Sequence, residues 1–134
     1  MAKAELFDIP VLGSIISKVG AFPVKRGGVS RESIRLAVQL LRDGNMLGVF
    51  PEGSRSNAGG MGKKGAASLA LKSGAAVVPV AIVGTYSLFR RMTIVYGTPL
   101  DLGAYAGASS EDLELATEAI MKEIRRLHME TSKA

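Results

Sequence analysis

The sequence predicts an α/β domain with a mostly parallel central sheet flanked by helices. Three observations carry that reading. Stretches with helical spacing of apolar residues alternate with short apolar, β-branched runs. Glycine and proline punctuate the boundaries between them. The 134 residues, 47% of them apolar, suffice for one buried core. Helices lying between successive strands favour parallel pairing, because a parallel neighbour needs a long crossover. Residues 1–134 therefore read as one domain, without an internal repeat or a linker long enough to divide it.

The elements are expected in this order. Ile9, Leu12, Ile15, Ile16 and Val19 are spaced by three and four and give one apolar helical face over Ile9 to Val19, with Pro10 in the first turn and Gly20 at the stop. A helix packed in a core and one lying on a membrane surface share that pattern. Ala21 to Val24 reads as a short strand, followed by Lys25-Arg26 and a Gly27-Gly28 turn.

A second helix begins at the N-cap Ser30, carries Glu32 in its first turn and the stripe Ile34, Ala37, Val38 and Leu41, and stops at Gly44. Met46 to Phe50 is expected to be a buried strand, and Pro51 to Gly62 a loop. Lys63 to Ser73 forms a third helix with Ala66, Ala67, Ala70 and Leu71 inward and Gly74 as its cap. Ala75 to Val83 suits a central strand covered on both faces, with Pro79 marking a bulge or a strand end. Met92 to Tyr96 is a further strand. The last helix, about 109–130, starts near Ser109 with Glu111, Asp112 and Glu114 in its first turn and presents Leu113, Ala116, Ile120, Ile124 and Leu127 on one face.

Composition excludes several chemistries. There is no cysteine, which removes disulfides, thiolate nucleophiles and Cys-based zinc sites, and a single histidine cannot build a multi-His metal centre. Aromatic residues make up 5%, with no tryptophan, a poor supply for stacking nucleic-acid bases. No run approaches the ~18–20 apolar residues that span a bilayer, and the N-terminus lacks the pattern of a signal peptide. The expected location is cytoplasmic. The net charge of +5 suits phosphate esters, an anionic membrane face or nucleic acid as partner.

Ligands of open α/β sheets bind beyond the carboxyl ends of strands. Two basic exits fall there: Lys25-Arg26 after Val24, and Arg55 after Phe50. Arg26 and Arg55 could share one anion, since a guanidinium grips phosphate oxygens with paired hydrogen bonds. Gly53 would let backbone N–H groups approach, Ser54 would add a hydroxyl, and Lys63 and Lys64 would add charge at a helix start. Each residue alone also reads as an ordinary turn or surface residue; the coincidence of two basic exits and a Gly-rich loop favours a site. A nucleotide-binding P-loop is excluded, because Lys64 stands where its Ser/Thr is needed and Asn57 where its first glycine is needed.

These residues also carry a resemblance. Phe50-Pro51-Glu52-Gly53-Ser54-Arg55-Ser56 resembles the F-P-E-G-(S/T)-R-S signature of glycerolipid acyltransferases of the 1-acylglycerol-3-phosphate acyltransferase type. Gly20 to Arg26 is similar to the family's G-x-x-x-x-x-R element, with Phe22 and Arg26 in place, and Val77 to Ile82 to its later apolar element with Pro79. Ala2 to Phe7, with Lys3, resembles the lead-in to the family's first helix, and Gly65-Ala66-Ala67 follows the lysines as in the family. The resemblance covers residues 2 to about 100, in register.

It implies acyl transfer from acyl-CoA or acyl-carrier protein to the hydroxyl of 1-acylglycerol-3-phosphate, giving phosphatidic acid, with no bound cofactor or metal and with peripheral contact at the inner face of the cell membrane. It assigns substrate phosphate binding to Arg26, Gly53, Ser54 and Arg55. Phe22, Phe50, Pro51, Glu52 and Pro79 would shape the site, and Lys3, Lys63 and Lys64 would add anion contacts. In the family a His takes the acceptor proton and an Asp five positions on orients it.

That H-x-x-x-x-D is absent from this sequence: the only histidine, His128, has Lys133 at the Asp position and reads as a polar residue of the last helix. The family places the pair upstream of the Lys3-Glu5 element, so the expectation is that Met1 is internal to a longer protein. Leu6 and Phe7 would then be more exposed here, and the isolated chain less stable or prone to self-association. The alternative is a module that binds lysophospholipid or anionic membrane without acylating it. A basic nucleic-acid-binding domain is the third reading, disfavoured by the few aromatics and the lack of a recognition motif.

Overall fold

The computed structural model describes residues 2–21, 23–24, 31–52, 64–85, 91–107 and 109–133, with backbone alone at 2–4 and 23–24. The chain forms two compact units, Met1–Val49 and Phe50–Ala134.

In the first unit, strand β1 (Ala2–Lys3) pairs in parallel with β2 (Pro23–Val24), Ala2 opposite Pro23 and Lys3 opposite Val24. Helix α1 (Leu12–Lys18) lies on the connection between them, as a parallel pair requires. A short 3₁₀ turn, Ala4–Leu6, leads into it, and Leu6 and Phe7 are half-buried. Gly13 is the buried position of α1. A β-carbon there would overlap the Phe7 carbonyl oxygen, so the helix approaches the preceding turn closely because Gly13 has no side chain. Gly13→Ala is expected to destabilise this unit by about 1–3 kcal/mol, the usual cost of overpacking, read as a lower denaturant midpoint.

The apolar stripe of α1 does not face inward. Ile16 is half-buried, but Leu12, Ile15 and Val19 are exposed, as are Ile9 and Val11 ahead of the helix. The end of α1 follows the expected glycine stop: Gly20 has φ +75° and the Ala21 N–H returns to the Ile16 carbonyl at 3.0 Å.

Helix α2 (Arg31–Arg42) presents Ile34, Ala37, Val38 and Leu41 inward, with Ala37 fully buried. Gly44, at φ +83°, ends it. The N-cap expected at Ser30 lies outside the described residues.

Met46 to Phe50 corrects an expectation. The segment has no ladder partner among the described residues, and Met46 is 99% and Phe50 73% exposed. Apolar, β-branched composition favours a strand only where a neighbouring strand supplies hydrogen bonds and cover, and among the described residues none pairs with it and only Leu47 is half-buried.

In the second unit, helix α3 (Gly65–Ser73) buries Ala67, Leu69 and Ala70 and is capped by Gly74 at φ +72°, whose N–H reaches the Ala70 carbonyl. Strand β3 (Val80–Gly84) begins directly after Pro79, which is fully buried and accepts a 2.9 Å hydrogen bond from the Gly97 N–H at its carbonyl. Proline, lacking a ladder donor, sets the strand start. Ahead of it only an isolated bridge joins Val77 to Leu100, so the expected strand from Ala75 is confined to its C-terminal half.

Strand β4 (Met92–Tyr96) pairs antiparallel with β3, Val80 opposite Tyr96 and Gly84 opposite Met92. The short connection permits a hairpin and leaves no room for a parallel crossover. Thus one described strand pair is parallel and one antiparallel, and no sheet joining them into a mostly parallel array is formed among the described residues. Nor is the hairpin fully covered on its outer face, where Val80 and Ile82 of β3 are half-buried. Ala81 is buried and the strand packs on the last helix, whereas Met92, Ile94 and Tyr96, on the opposite face of the hairpin, stand exposed.

Helix α4 (Ser110–Ser132) is the longest element. Its start is a capping box: Ser109 Oγ accepts from the Asp112 N–H at 3.0 Å and the Asp112 carboxylate accepts from the Ser109 N–H at 3.0 Å. Ser109→Ala is expected to cost about 1 kcal/mol, the ordinary loss for an N-cap, measurable as a small fall in Tm. Ala116, Ile120, Met121 and Leu127 are buried along α4, with Thr117 donating to the Leu113 carbonyl. The core of this unit gathers Ala67, Ala70, Leu102, Ala116 and Ile120, with Leu71, Leu113 and Ile124 packed around it. Alanines at the α3–α4 contact let the helix backbones approach, which positions the start of α3 beside the start of α4.

Candidate functional site

The candidate site begins where β2 ends. Strand β2 includes Val24, and the expected basic exit Lys25-Arg26 lies outside the described residues. Phe22, Arg26, Gly53, Ser54, Arg55 and Lys63 lie outside the described residues, as does the side chain of Lys3, whose backbone is in β1.

The described members of the signature are Phe50, Pro51 and Glu52. Phe50 is exposed, and Pro51 and Glu52 are half-buried in a turn. Pro79 sits in the core of its unit. A β-carbon on Gly97 would come within 2.9 Å of Pro79 Cγ and 3.0 Å of Leu127 Cδ1, so the proline ring, the glycine and α4 are in close contact.

Lys64 is fixed in a way the sequence does not reveal. Standing immediately before α3, it places Nζ 2.6 Å from Glu114 Oε1 and donates to Ser110 Oγ at 2.9 Å and to the Ser110 carbonyl at 3.3 Å. Glu114 and Ser110 are the contacts that sequence reasoning missed; they lie on α4, far away along the chain, and no periodicity relates them to Lys64. The pair is partly exposed, with side chains 40% and 67% accessible, and such pairs contribute about 0–1 kcal/mol. Lys64 is therefore held by a weak, partly exposed pair and is not an unengaged cation.

A groove of about 410 Å³ lies at the other end of α3, lined by Leu71, Gly74, Leu100, Asp101 and Leu102 among others. Its one ionisable lining residue is Asp101, whose Oδ1 accepts from the Gly103 N–H at 2.8 Å. A carboxylate there repels a phosphate, so this groove is a poor place for anion chemistry.

His128 is exposed on α4, as its reading as a polar helix residue requires. The Ser132 hydroxyl near its ring donates to the His128 carbonyl at 2.7 Å, which satisfies the helix backbone and arms no nucleophile. Among the described residues no three His, Cys, Asp or Glu side chains form a metal-binding group. No described helix is long and apolar enough to cross a membrane.

Comparison with known proteins bears on the same residues. The family model described as Acyltransferase matches residues 1–83, which include both basic exits and the Phe50–Ser56 run. The 1-acyl-sn-glycerol-3-phosphate acyltransferase of Bacillus subtilis (strain 168) is 37% identical over 133 residues, covering 95% of this chain and 67% of that protein. The protein of the same name from Streptococcus pneumoniae is 31% identical over 139 residues, covering 99% of this chain and 52% of its own length. The chloroplastic 1-acyl-sn-glycerol-3-phosphate acyltransferase LPAT1 of Arabidopsis thaliana is 38% identical over 89 residues, 63% of this chain and 25% of that protein. This chain thus spans about two thirds of the Bacillus relative and about half of the streptococcal one. No solved structure gives a significant match. With a family match over more than half its length and full-span relatives of one name, the chain belongs to the acyltransferase family and resembles its O-acyltransferases of the 1-acyl-sn-glycerol-3-phosphate acyltransferase type.

Proposed function

We propose that this chain supplies the acceptor-binding part of an enzyme that acylates 1-acylglycerol-3-phosphate to phosphatidic acid. The observation that carries the reading is the run Phe50-Pro51-Glu52-Gly53-Ser54-Arg55-Ser56 in a chain whose relatives bear that enzyme's name. Arg55 and Arg26 hold the phosphate monoester, Gly53 and Ser54 add hydrogen bonds, Lys3, Lys63 and Lys64 add positive charge, and Phe22, Phe50, Pro51, Glu52 and Pro79 give the site its shape. The residues belong to one acyltransferase domain whose complete sheet is mostly parallel.

In the reaction, the acceptor hydroxyl oxygen attacks the thioester carbonyl of acyl-CoA or acyl-carrier protein. A general base takes the hydroxyl proton, the carbon–sulfur bond breaks, and the thiol leaves as the new ester forms. This sequence holds the grip for the acceptor but no H-x-x-x-x-D for the proton. Transfer therefore requires a histidine from outside these residues, and the chain as given binds without turnover. The site works at the cytoplasmic face of the membrane, where both lipid acceptor and soluble donor are present.

The test is an acyl-transfer assay on the 134-residue chain with 1-acylglycerol-3-phosphate and each thioester donor. No phosphatidic acid above background is expected, together with retained acceptor binding. Phosphatidic acid formed at an enzymic rate would overturn the assignment of the proton-taking step to a histidine beyond this chain. The missing motif also favours a second reading, a module that binds lysophospholipid or anionic membrane without catalysis. An upstream reading frame encoding H-x-x-x-x-D separates the two in favour of the enzyme.

A further inference from the structure

Three acceptors on α4 surround the Lys64 ammonium. The group has three donors and no acceptor of its own. They meet Glu114 Oε1 at 2.6 Å, Ser110 Oγ at 2.9 Å and the Ser110 carbonyl at 3.3 Å. While all three contacts stand, no proton is left over for a further anion. The backbone of Lys64 is fixed as well, since its carbonyl accepts the Ser68 N–H at 2.9 Å in the first turn of α3. The partners differ in kind. Ser110 is the first residue of α4, and its hydroxyl and carbonyl are neutral, so they hold the ammonium without cancelling its charge. Glu114 supplies the negative charge, and its side chain is 67% exposed. An anion arriving from solvent can therefore reach the position of Glu114 Oε1 and leave both Ser110 contacts in place.

We propose that a phosphate oxyanion binds Lys64 by displacing the Glu114 carboxylate, which makes Glu114 a built-in competitor that sets how tightly the acceptor is held. The chemistry of the ligand favours the exchange. A phosphate monoester carries about −1.5 to −2 charge at pH 7 and three strong acceptor oxygens, whereas Glu114 offers a single carboxylate charge. A partly exposed ion pair is weak and screened by salt, so the carboxylate is a replaceable partner. The proposal rests on the acceptor-binding reading, in which Lys64 adds charge for the phosphate, and it adds a residue that opposes binding. Glu114 lies on α4, away in sequence from the Phe50–Ser56 run, and no motif assigns it to the site. A fixed clamp between α3 and α4 would have the opposite sign. Loss of Glu114 would then loosen the start of α3 and weaken the hold on the ligand.

The test is calorimetry of the full chain with glycerol 3-phosphate and, separately, inorganic phosphate, at low ionic strength, where the pair is least screened. Glu114→Gln keeps the size of the side chain and removes its charge. It is expected to tighten binding about two- to fivefold, the hold that a partly exposed pair exerts. In a Lys64→Gln background the same substitution should give no gain, because the competitor acts only through Lys64. Glu118→Gln, one turn further along α4 and exposed, removes the same charge without touching the Lys64 contacts and should leave the affinity unchanged. All three positions are partly or fully exposed, so unchanged circular dichroism is expected throughout.

Weaker binding by Glu114→Gln would make the contact a clamp and overturn the proposal, as would an unchanged affinity. An equal gain from Glu118→Gln, or a gain that persists without Lys64, would reduce the effect to general charge repulsion and overturn it too. The two readings fail separately. If the unaltered chain binds glycerol 3-phosphate and Glu114→Gln gives no gain, the exchange is wrong and the acceptor-binding reading stands. A Lys64-dependent gain for inorganic phosphate, with no binding of the glycerol ester, supports the exchange and removes the acceptor. Binding of neither ligand by either protein overturns both.

Discussion

Arg55→Ala is expected to weaken binding of 1-acylglycerol-3-phosphate by about ten- to a hundredfold, because a charge-assisted hydrogen-bond pair to phosphate contributes roughly 1.5–3 kcal/mol. The direction follows from the chemistry of the ligand. A phosphate monoester carries its charge on oxygens that a planar guanidinium meets two at a time, and a lysine offers a point charge instead. Arg55→Lys should therefore recover only part of the loss, which a general charge effect would not predict. Arg26→Ala should act in the same direction. If both arginines hold one phosphate, the double variant will lose less than the sum of the two single losses, since removing either already disables a shared contact. Titration calorimetry with a short-chain acceptor, kept monomeric, measures all four variants on one scale.

The second large effect is on stability. Ile120 is 4% exposed and lies in the cluster formed with Ala67, Ala70, Leu102 and Ala116. Truncating it to alanine removes buried carbon atoms and leaves a hollow that its alanine neighbours cannot fill, because a methyl group has no rotamer that reaches into the gap. Ile120→Ala is expected to cost about 2–5 kcal/mol, seen as a lowered urea midpoint and a fall in Tm. Leu115→Ala, on the same helix but 46% exposed, should stay within about 0.5 kcal/mol, as surface changes do. Equal losses at the two positions would contradict the burial pattern of α4.

Much of the fold is legible in the sequence where local signals and burial agree. Helix α2 follows from its stripe and Gly44, α3 from its alanines and Gly74, and α4 from Ser109 and Asp112 at its start. Strand β4 has its expected bounds, and Pro79 marks the start of β3. What sequence reading misses depends on partners rather than on local pattern. Met46 to Phe50 has the composition of a strand, but a ladder is made between strands, and none lies beside it among the described residues. Strand β1 is two residues long and too short to carry a period. The α1 stripe gives a helix but starts it too early, since Ile9 and Pro10 lie in the turn before Leu12. It also leaves open which side faces inward, because periodicity records the existence of a face and not what covers it.

The site divides in the same way. The family is legible from the signature and is shown by the comparisons, whereas the phosphate-binding roles of Arg26 and Arg55 stand as proposals on residues outside the described set. The engagement of Lys64 by Glu114 and Ser110 is not legible, since it arises only when α3 and α4 are packed side by side. That contact modifies the role proposed for Lys64: it is an anion contact only by exchange with a carboxylate, so its substitution should matter less than that of Arg55. The absence of H-x-x-x-x-D is equally plain in the sequence.

The central claim is that this chain recognises a glycerol phosphate monoester. The most direct measurement compares, by calorimetry on the unaltered 134-residue chain, the binding of short-chain 1-acylglycerol-3-phosphate with that of lysophosphatidylcholine of equal chain length. The expected result is binding of the monoester at least about tenfold tighter than the choline ester, lost when Arg26 and Arg55 are both replaced by alanine. Equal affinity for the two lipids, or a preference that survives the double replacement, would contradict it.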